Sequence, residues 1–309
     1  MSEHRSDVPA KLAAFAGIYL IWGTTYLAIA LAIRTLPPFT TGAIRYLTAG
    51  TLMYAWLRSR ESRPFDGLHV PATLVCGVLM SGIGNGFVMW AQKGVPSGVT
   101  ALFVASLPML ILLFDWAFFS RQKPARVATL GVIVGLAGVA VLATHTGGMS
   151  GRIHPIHLLA VLAAAISWAI ATLLQRRFVP IKRIANFTCL QLFAGGVFQL
   201  SAALIGRDWQ VLAAHGVATS SLLAVAYLTI AGTLIANNCY SYLIAHVSAH
   251  KVSTYALVNP VIALALGVMV LGEKVSWAML VASALVLLGV ALVLFQGVRR
   301  RFSAAVQRA

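Results

Sequence analysis

Acidic residues are scarce: the 309-residue chain holds only seven Asp and Glu. Charged residues of both signs make up 10% of it, against about 25% in a soluble domain. Too little polar surface remains to cover a globule, which excludes an ordinary water-soluble enzyme or DNA-binding protein. Cysteine is sparse too. Cys76, Cys189 and Cys239 are far apart and each lies in an apolar run, so neither a disulfide framework nor a zinc site is expected. No cluster of His, Cys, Asp and Glu marks an intramembrane enzyme, and no cofactor is implied. What is abundant is apolar: 60% hydrophobic residues and a mean hydropathy of +0.87. That excludes disorder and leaves a polytopic membrane protein.

Spanning helices need about 20 mostly apolar residues. Suitable runs fall near 12–33, 39–57, 70–91, 98–119, 127–144, 156–175, 185–206, 217–245, 252–271 and 276–296. Pro37-Pro38, Arg58 to Arg60, Gly94 to Pro96, Arg121 to Pro124, residues 147–151, Arg176-Arg177 and Gly272 to Lys274 punctuate them. The expectation is an all-α integral membrane protein of ten transmembrane helices. The first run is too long for a signal-peptide core, so it is read as a retained helix.

The formal charge of +16 would suggest nucleic acid in a soluble protein, but its distribution gives another reason. With the N-terminus inside, seventeen Lys and Arg fall in inner segments. These include Arg58, Arg60, Arg121, Arg176, Arg177, and the tail residues Arg299 to Arg301 and Arg308. Five fall outside: Arg34, Lys93, Arg152, Arg207 and Lys274. This asymmetry puts both termini in the cytoplasm and needs no nucleic acid. The partners expected are the lipid bilayer and a small-molecule substrate. A dimer face on Gly131 and Gly135 is conceivable for small residues at helix spacing, so a monomer or a weak dimer is expected.

The halves resemble each other. At an offset of 152, residues 84–108 align with 236–260, so that Asn85 faces Asn237, Trp90 faces Tyr242 and Pro108 faces Pro260. The stretch 136–142 (LAGVAVL) resembles 288–294 (LGVALVL) with a one-residue slip, and Trp22 and Trp168 each precede small residues. Five spans per half is odd, so the second half enters the membrane inverted. Two inverted five-helix repeats follow, over 1–147 and 148–309, an architecture of secondary transporters with the substrate site at the repeat interface.

Several motifs carry a family resemblance: Trp22-Gly23-Thr24-Thr25, the helix entry Pro96-Ser97-Gly98-Val99-Thr100-Ala101, and Asn259-Pro260-Val261-Ile262 leading to Gly272-Glu273. On these residues the chain resembles the ten-helix EamA-type branch of the drug/metabolite transporter superfamily, over nearly its whole length. Ser120-Arg121 departs from the pattern, standing where Gly-Glu often occurs. The resemblance implies export of amino acids or other small metabolites from the bacterial cytoplasm across the inner membrane, with the aromatic amino-acid exporters most similar. Export of drugs or quaternary amines is the alternative. A channel is disfavoured, since nothing resembles a filter ring.

Each candidate site residue has a bland reading beside it. Trp22 and Trp168 lie well inside their spans, where a ring can wall a cavity and offer an N–H, or simply fill space. Asn85, Asn237 and Asn238 are amides deep in apolar helices, lining a cavity or bonding between helices. Trp90 and Tyr242 join them through the repeat. Thr25 can satisfy its hydroxyl on its own helix. Pro108 and Pro260, in mid-span, free a carbonyl each and are hinges or static kinks. Arg45 enters its span by about 9 Å. A charge at the bilayer centre costs about 2.5–3.5 kcal/mol, so outward snorkelling is favoured over capture of a substrate carboxylate. Asp115, the one acid within a span, is a coupling candidate or the partner of a loop arginine such as Arg121. His246 and His250 have metal-ligand spacing but no third ligand, so no metal is expected.

Overall fold

The computed structural model describes residues 3–144, 154–179, 181–247 and 249–306. The break at 147–151, Arg152, the boundary between 147 and 148, Ser248 and Arg308 lie outside the described residues, as do the side chains of His250 and Arg299 to Arg301. The described residues are helical and contain no strand.

The chain runs through α1 (Glu3–Ala32), α2 (Pro38–Arg58), α3 (Val70–Ala91), α4 (Ser97–Phe119), α5 (Arg126–Thr144), α6 (Pro155–Phe178), α7 (Ile184–Ile205), α8 (Thr219–Leu243, continuing to 246), α9 (Tyr255–Leu271) and α10 (Trp277–Val306). Proline marks many starts, as at Pro38 and Pro155, where its missing N–H has no intrahelical partner to lose. Thr41, Thr100, Thr188 and Thr229 turn their hydroxyls back to the carbonyl four residues earlier, satisfying them without water. Eight of the described helical segments are long and apolar enough to cross a bilayer. The other two of the ten runs differ. α2 is long enough at 21 residues but carries Arg45, and α9 is shorter at 17.

α9 is short because the expected start at 252 is taken by the small helix Ala249–Val252 and a turn at Ser253-Thr254. The two prolines therefore act differently. α4 breaks at Ser106, whose N–H and hydroxyl both donate to the Phe103 carbonyl at 3.1 and 2.6 Å, and Pro108 follows in the first turn of the resumed helix. Pro260 lies inside the continuous α9.

Each long helix has defined partners. α5 packs along α10, and α2 along α7. α1 lies against α8 and α9, and α6 against α3 and α4. Small residues set the distances. A Cβ on Gly289 would stand 2.5 Å from the Gly135 Cα and 2.6 Å from the Gly131 carbonyl, so the α5 and α10 backbones touch. Gly131 and Gly135 are buried against α10 of the same chain and so are not free to form the dimer face considered for them.

Acidic side chains hold helix starts. Glu273, in the loop after α9, accepts from the backbone N–H groups of Ser97 (2.6 Å) and Gly98 (3.2 Å) and so caps α4. Asp208 accepts from the N–H and hydroxyl of Thr40 at the start of α2. Glu61 pairs with Arg183 at 2.6 Å and accepts from Asn186 at the start of α7.

Candidate functional site

The site is built around two irregular turns. α3 is π-helical over Val78–Gly84 and α8 over Leu228–Ile235. A π-turn bonds i to i+5 and disturbs the regular ladder, and such turns concentrate at functional sites.

Both tryptophans use these turns. Trp168 of α6 donates its indole N–H to the Met80 carbonyl at 2.8 Å, and Asn85 donates to the same oxygen at 2.9 Å. Trp22 of α1 donates to the Gly232 carbonyl at 3.3 Å. The indole N–H groups are thus engaged with backbone, and the rings are left as wall. Gly84 leaves room for the Trp168 ring, which occupies the space a Cβ there would take.

Trp22 belongs to an aromatic group. Its ring lies 5.3 Å from Tyr240 and, edge on, 5.0 Å from Tyr255. Tyr19 bonds Thr254 at 2.6 Å. Tyr242 packs against the same cluster and stacks on His246 at 4.2 Å. Thr25 is buried and donates to the Trp22 carbonyl at 2.6 Å, the local bond expected of it.

Arg45 does not snorkel. It is 6% exposed, and its Nε donates to the Thr233 hydroxyl in the α8 π-turn at 2.8 Å. Thr233 in turn donates to the Leu228 carbonyl at 3.0 Å. The physical reason is rotational: Arg45 shares a face of α2 with buried Thr41, Gly42 and Ala49, which packs inward. In the other half, Gln191 of α7 donates to the Ser81 hydroxyl in the α3 π-turn at 3.3 Å.

Asn237 and Asn238 line a narrow cleft between α2, α7 and α8, with Met53, Thr188, Thr233 and Ser241. Asn238 also donates to the Leu234 carbonyl at 2.7 Å. Trp90 stands apart, against His157 at 4.8 Å. Asp115 lies 4.0 Å from Arg176 at the end of α6. The ion pair is therefore with α6, not with Arg121, which takes a left-handed backbone (φ 56°) in its turn. Among the described residues no group of three or more His, Cys, Asp or Glu is placed to hold a metal.

The structure thus gathers Trp22, Thr25 and Tyr242 around α8, holds Trp168 and Asn85 on Met80, and puts Asn237 and Asn238 in the cleft. Sequence reasoning missed Thr233, Tyr240, Tyr255, Ser81 and Gln191. Ser81 and Thr233 were findable, being hydroxyls 152 residues apart, the offset that aligns the halves.

A helical bundle with polar groups gathered on irregular helix turns at membrane depth is the construction of a membrane transporter. The chain belongs to the EamA-like transporter family, whose sequence profile matches it twice, over residues 11–144 and 155–295. It is similar to the uncharacterized inner membrane transporter YedA of Escherichia coli K12, 35% identical over 280 residues, 88% of this chain and 87% of that one. It is also similar to the uncharacterized transporter YvbV of Bacillus subtilis 168, 26% identical over 285 residues, 92% of this chain and 90% of that one. A solved crystal structure shares the fold with a TM-score of 0.62 at 23% identity, covering 94% of this chain and 98% of the other.

Proposed function

We propose that the chain is a ten-span secondary transporter of two inverted five-helix repeats, 1–147 and 148–309. It exports amino acids or similar small metabolites across the bacterial inner membrane by alternating access. One observation carries this reading. Trp168 bonds Met80 and Trp22 bonds Gly232, and the two acceptors are 152 residues apart while the two donors are 146 apart. Arg45 with Thr233 and Gln191 with Ser81 repeat the relation at the same two offsets. A two-fold axis in the membrane plane would relate such pairs. The helix pairing is consistent with it, since α1 with α9 mirrors α6 with α4. The double match of the family profile and the inner-membrane name of YedA support the same reading.

The substrate chamber lies between the repeats, walled by Trp22, Thr25, Trp168 and Asn85 and continued by the cleft at Asn237 and Asn238. The cleft reaches the basic end of the bundle, where Arg183 precedes α7, which the charge asymmetry puts in the cytoplasm. Rocking uses the break at Ser106 beside Pro108 and, in the other half, Pro260 with the turn at Ser253-Thr254. The two ends are held unequally. Glu273 caps α4, whereas the position 152 residues before it is Arg121, whose charge cannot cap a helix start. Asp115, near Arg176, is the acid within reach of a proton gradient.

The test is a proteoliposome uptake screen across amino acids, nucleosides and quaternary amines, with and without a proton gradient. Saturable uptake is expected, lost in Trp168→Ala and Asn237→Leu while both remain inserted. Wild-type flux in both variants removes the chamber assignment. The group Trp22, Tyr240 and Tyr255 favours a second reading, since aromatic faces attract quaternary amines. Uptake confined to those amines would establish it.

A further inference from the structure

Arg45 does more than dock helices. The residue is 6% exposed and lies at the depth of the α8 π-turn, with Nε bonded to Thr233 and the Tyr46 ring 4.9 Å from its central carbon. No ion pair to Arg45 exists among the described residues. The acids with described side chains are engaged elsewhere: Glu61 with Arg183, Asp66 with Arg63, Asp115 with Arg176, Asp208 with Thr40, and Glu273 with the start of α4. A buried, unpaired cation in a membrane protein marks a substrate or ion path.

The other half supplies an internal control. Gln191 makes the equivalent bond to Ser81 with a neutral amide. A donor suffices to join the helix to the π-turn, so the charge serves something else. Gly232 lies beside it: a Cβ there would be 3.5 Å from Nη2 of Arg45 and 3.1 Å from the Thr25 methyl. The guanidinium therefore shares this point with Thr25 and with the carbonyl that holds Trp22. The cleft lined by Asn237 and Ser241 reaches Thr233, its hydrogen-bond partner.

We infer that Arg45 is the recognition point for a carboxylate, so that the solute carried is a small organic anion or zwitterion with an apolar body against Trp22. This rests on the transport reading above and narrows it. A planar guanidinium presents five donors, and its terminal nitrogens match the two oxygens of a carboxylate. A quaternary amine would meet repulsion at the same point.

The experiment uses the purified full chain in detergent and in proteoliposomes. Benzoate and phenylalanine are compared with their amides, benzamide and phenylalaninamide, for protection against thermal unfolding. A carboxylate-specific rise in melting temperature is expected in wild type. Arg45→Gln keeps a donor for Thr233, as Gln191 does for Ser81, so it folds with unchanged basal melting temperature. Its carboxylate affinity falls about tenfold or more, and Arg45→Lys keeps part of it. Equal protection by acids and amides, no protection by either acid, or unchanged affinity in Arg45→Gln overturns the inference. Counterflow of any solute in the same proteoliposomes reports on transport separately. Counterflow of a neutral or cationic solute that ignores Arg45→Gln removes the anion site and leaves the transporter, while absence of counterflow for every solute removes the transporter.

Discussion

Replacing Glu273 by alanine removes two hydrogen bonds at once from the start of α4, to the N–H groups of Ser97 and Gly98. Both are half-buried, and the acceptor is charged. Loss of a helix cap costs about 0.5–2 kcal/mol, and a hydrogen bond to a charged group contributes about 1.5–3 kcal/mol. Together they put the local loss at about 2–3 kcal/mol, because water replaces part of what is removed. Each 1.4 kcal/mol is tenfold in an equilibrium, so the first turn of α4 should open about 30- to 150-fold more often. Hydrogen exchange read by mass spectrometry on peptides covering 95–105 measures this directly. Glu273→Gln keeps one acceptor and should give about tenfold. Gly267 supplies a second perturbation, since its missing side chain leaves the space that the Glu273 carboxylate fills. Gly267→Ala should loosen the same turn, and adding it to Glu273→Ala should change little further. Unchanged exchange of this turn in Glu273→Ala, or full additivity with Gly267→Ala, refutes the cap.

Three further outcomes are expected. Gly289→Val would drive a branched side chain into the α5 backbone, costing about 1–3 kcal/mol as overpacking; a melting temperature equal to wild type would contradict the contact. Trp168→Phe loses the bond to Met80 but keeps most of the ring, and Asn85 still donates to that carbonyl, so it should destabilise by only about 0.5–1.5 kcal/mol, against about 3–5 for Trp168→Ala; equal losses in the two would contradict the packing role of the ring. Glu61 is held below the usual carboxylate range, first by the Asn186 amide and then by Arg183. A lowered folded value means its stabilisation is present at neutral pH and disappears as pH falls below the ordinary value of 4.5. Melting curves from pH 7 to 3 should show an acid loss in wild type that is smaller in Glu61→Gln, and parallel curves would contradict the assignment.

The sequence carried the family and the apolar runs of which eight are spans among the described residues, because a bilayer imposes long apolar runs and Pro and Gly end them. It put Trp22 and Trp168 deep in their helices, but did not show the bonds of their indole N–H groups to the Gly232 and Met80 carbonyls. What it did not carry was rotation. Depth along α2 puts Arg45 within reach of the membrane edge, but only packing against α7 and α8 decides that it points inward. The π-turns were equally hidden. Val78–Gly84 and Leu228–Ile235 are as apolar as their surroundings, and the extra residue in each turn shows only in the hydrogen bonds. The break in α4 illustrates a third limit. Pro108 was visible, but the chain departs from the helix two residues earlier, at Ser106, where a hydroxyl can close the turn. The aromatic group of Trp22, Tyr240 and Tyr255 joins positions over 200 residues apart in chain order, and no local pattern announces it.

The proposed chamber requires that the two five-helix modules have opposed polarity, and labelling can read it. In a chain with Cys76, Cys189 and Cys239 replaced by alanine, Gln122→Cys and Lys274→Cys are made singly; these loops stand 152 residues apart. Intact cells are treated with a membrane-impermeant thiol reagent. The account predicts labelling at 274 and none at 122 until the membrane is opened. Reaction at both sites, or at neither, would mean that the modules enter the lipid the same way round.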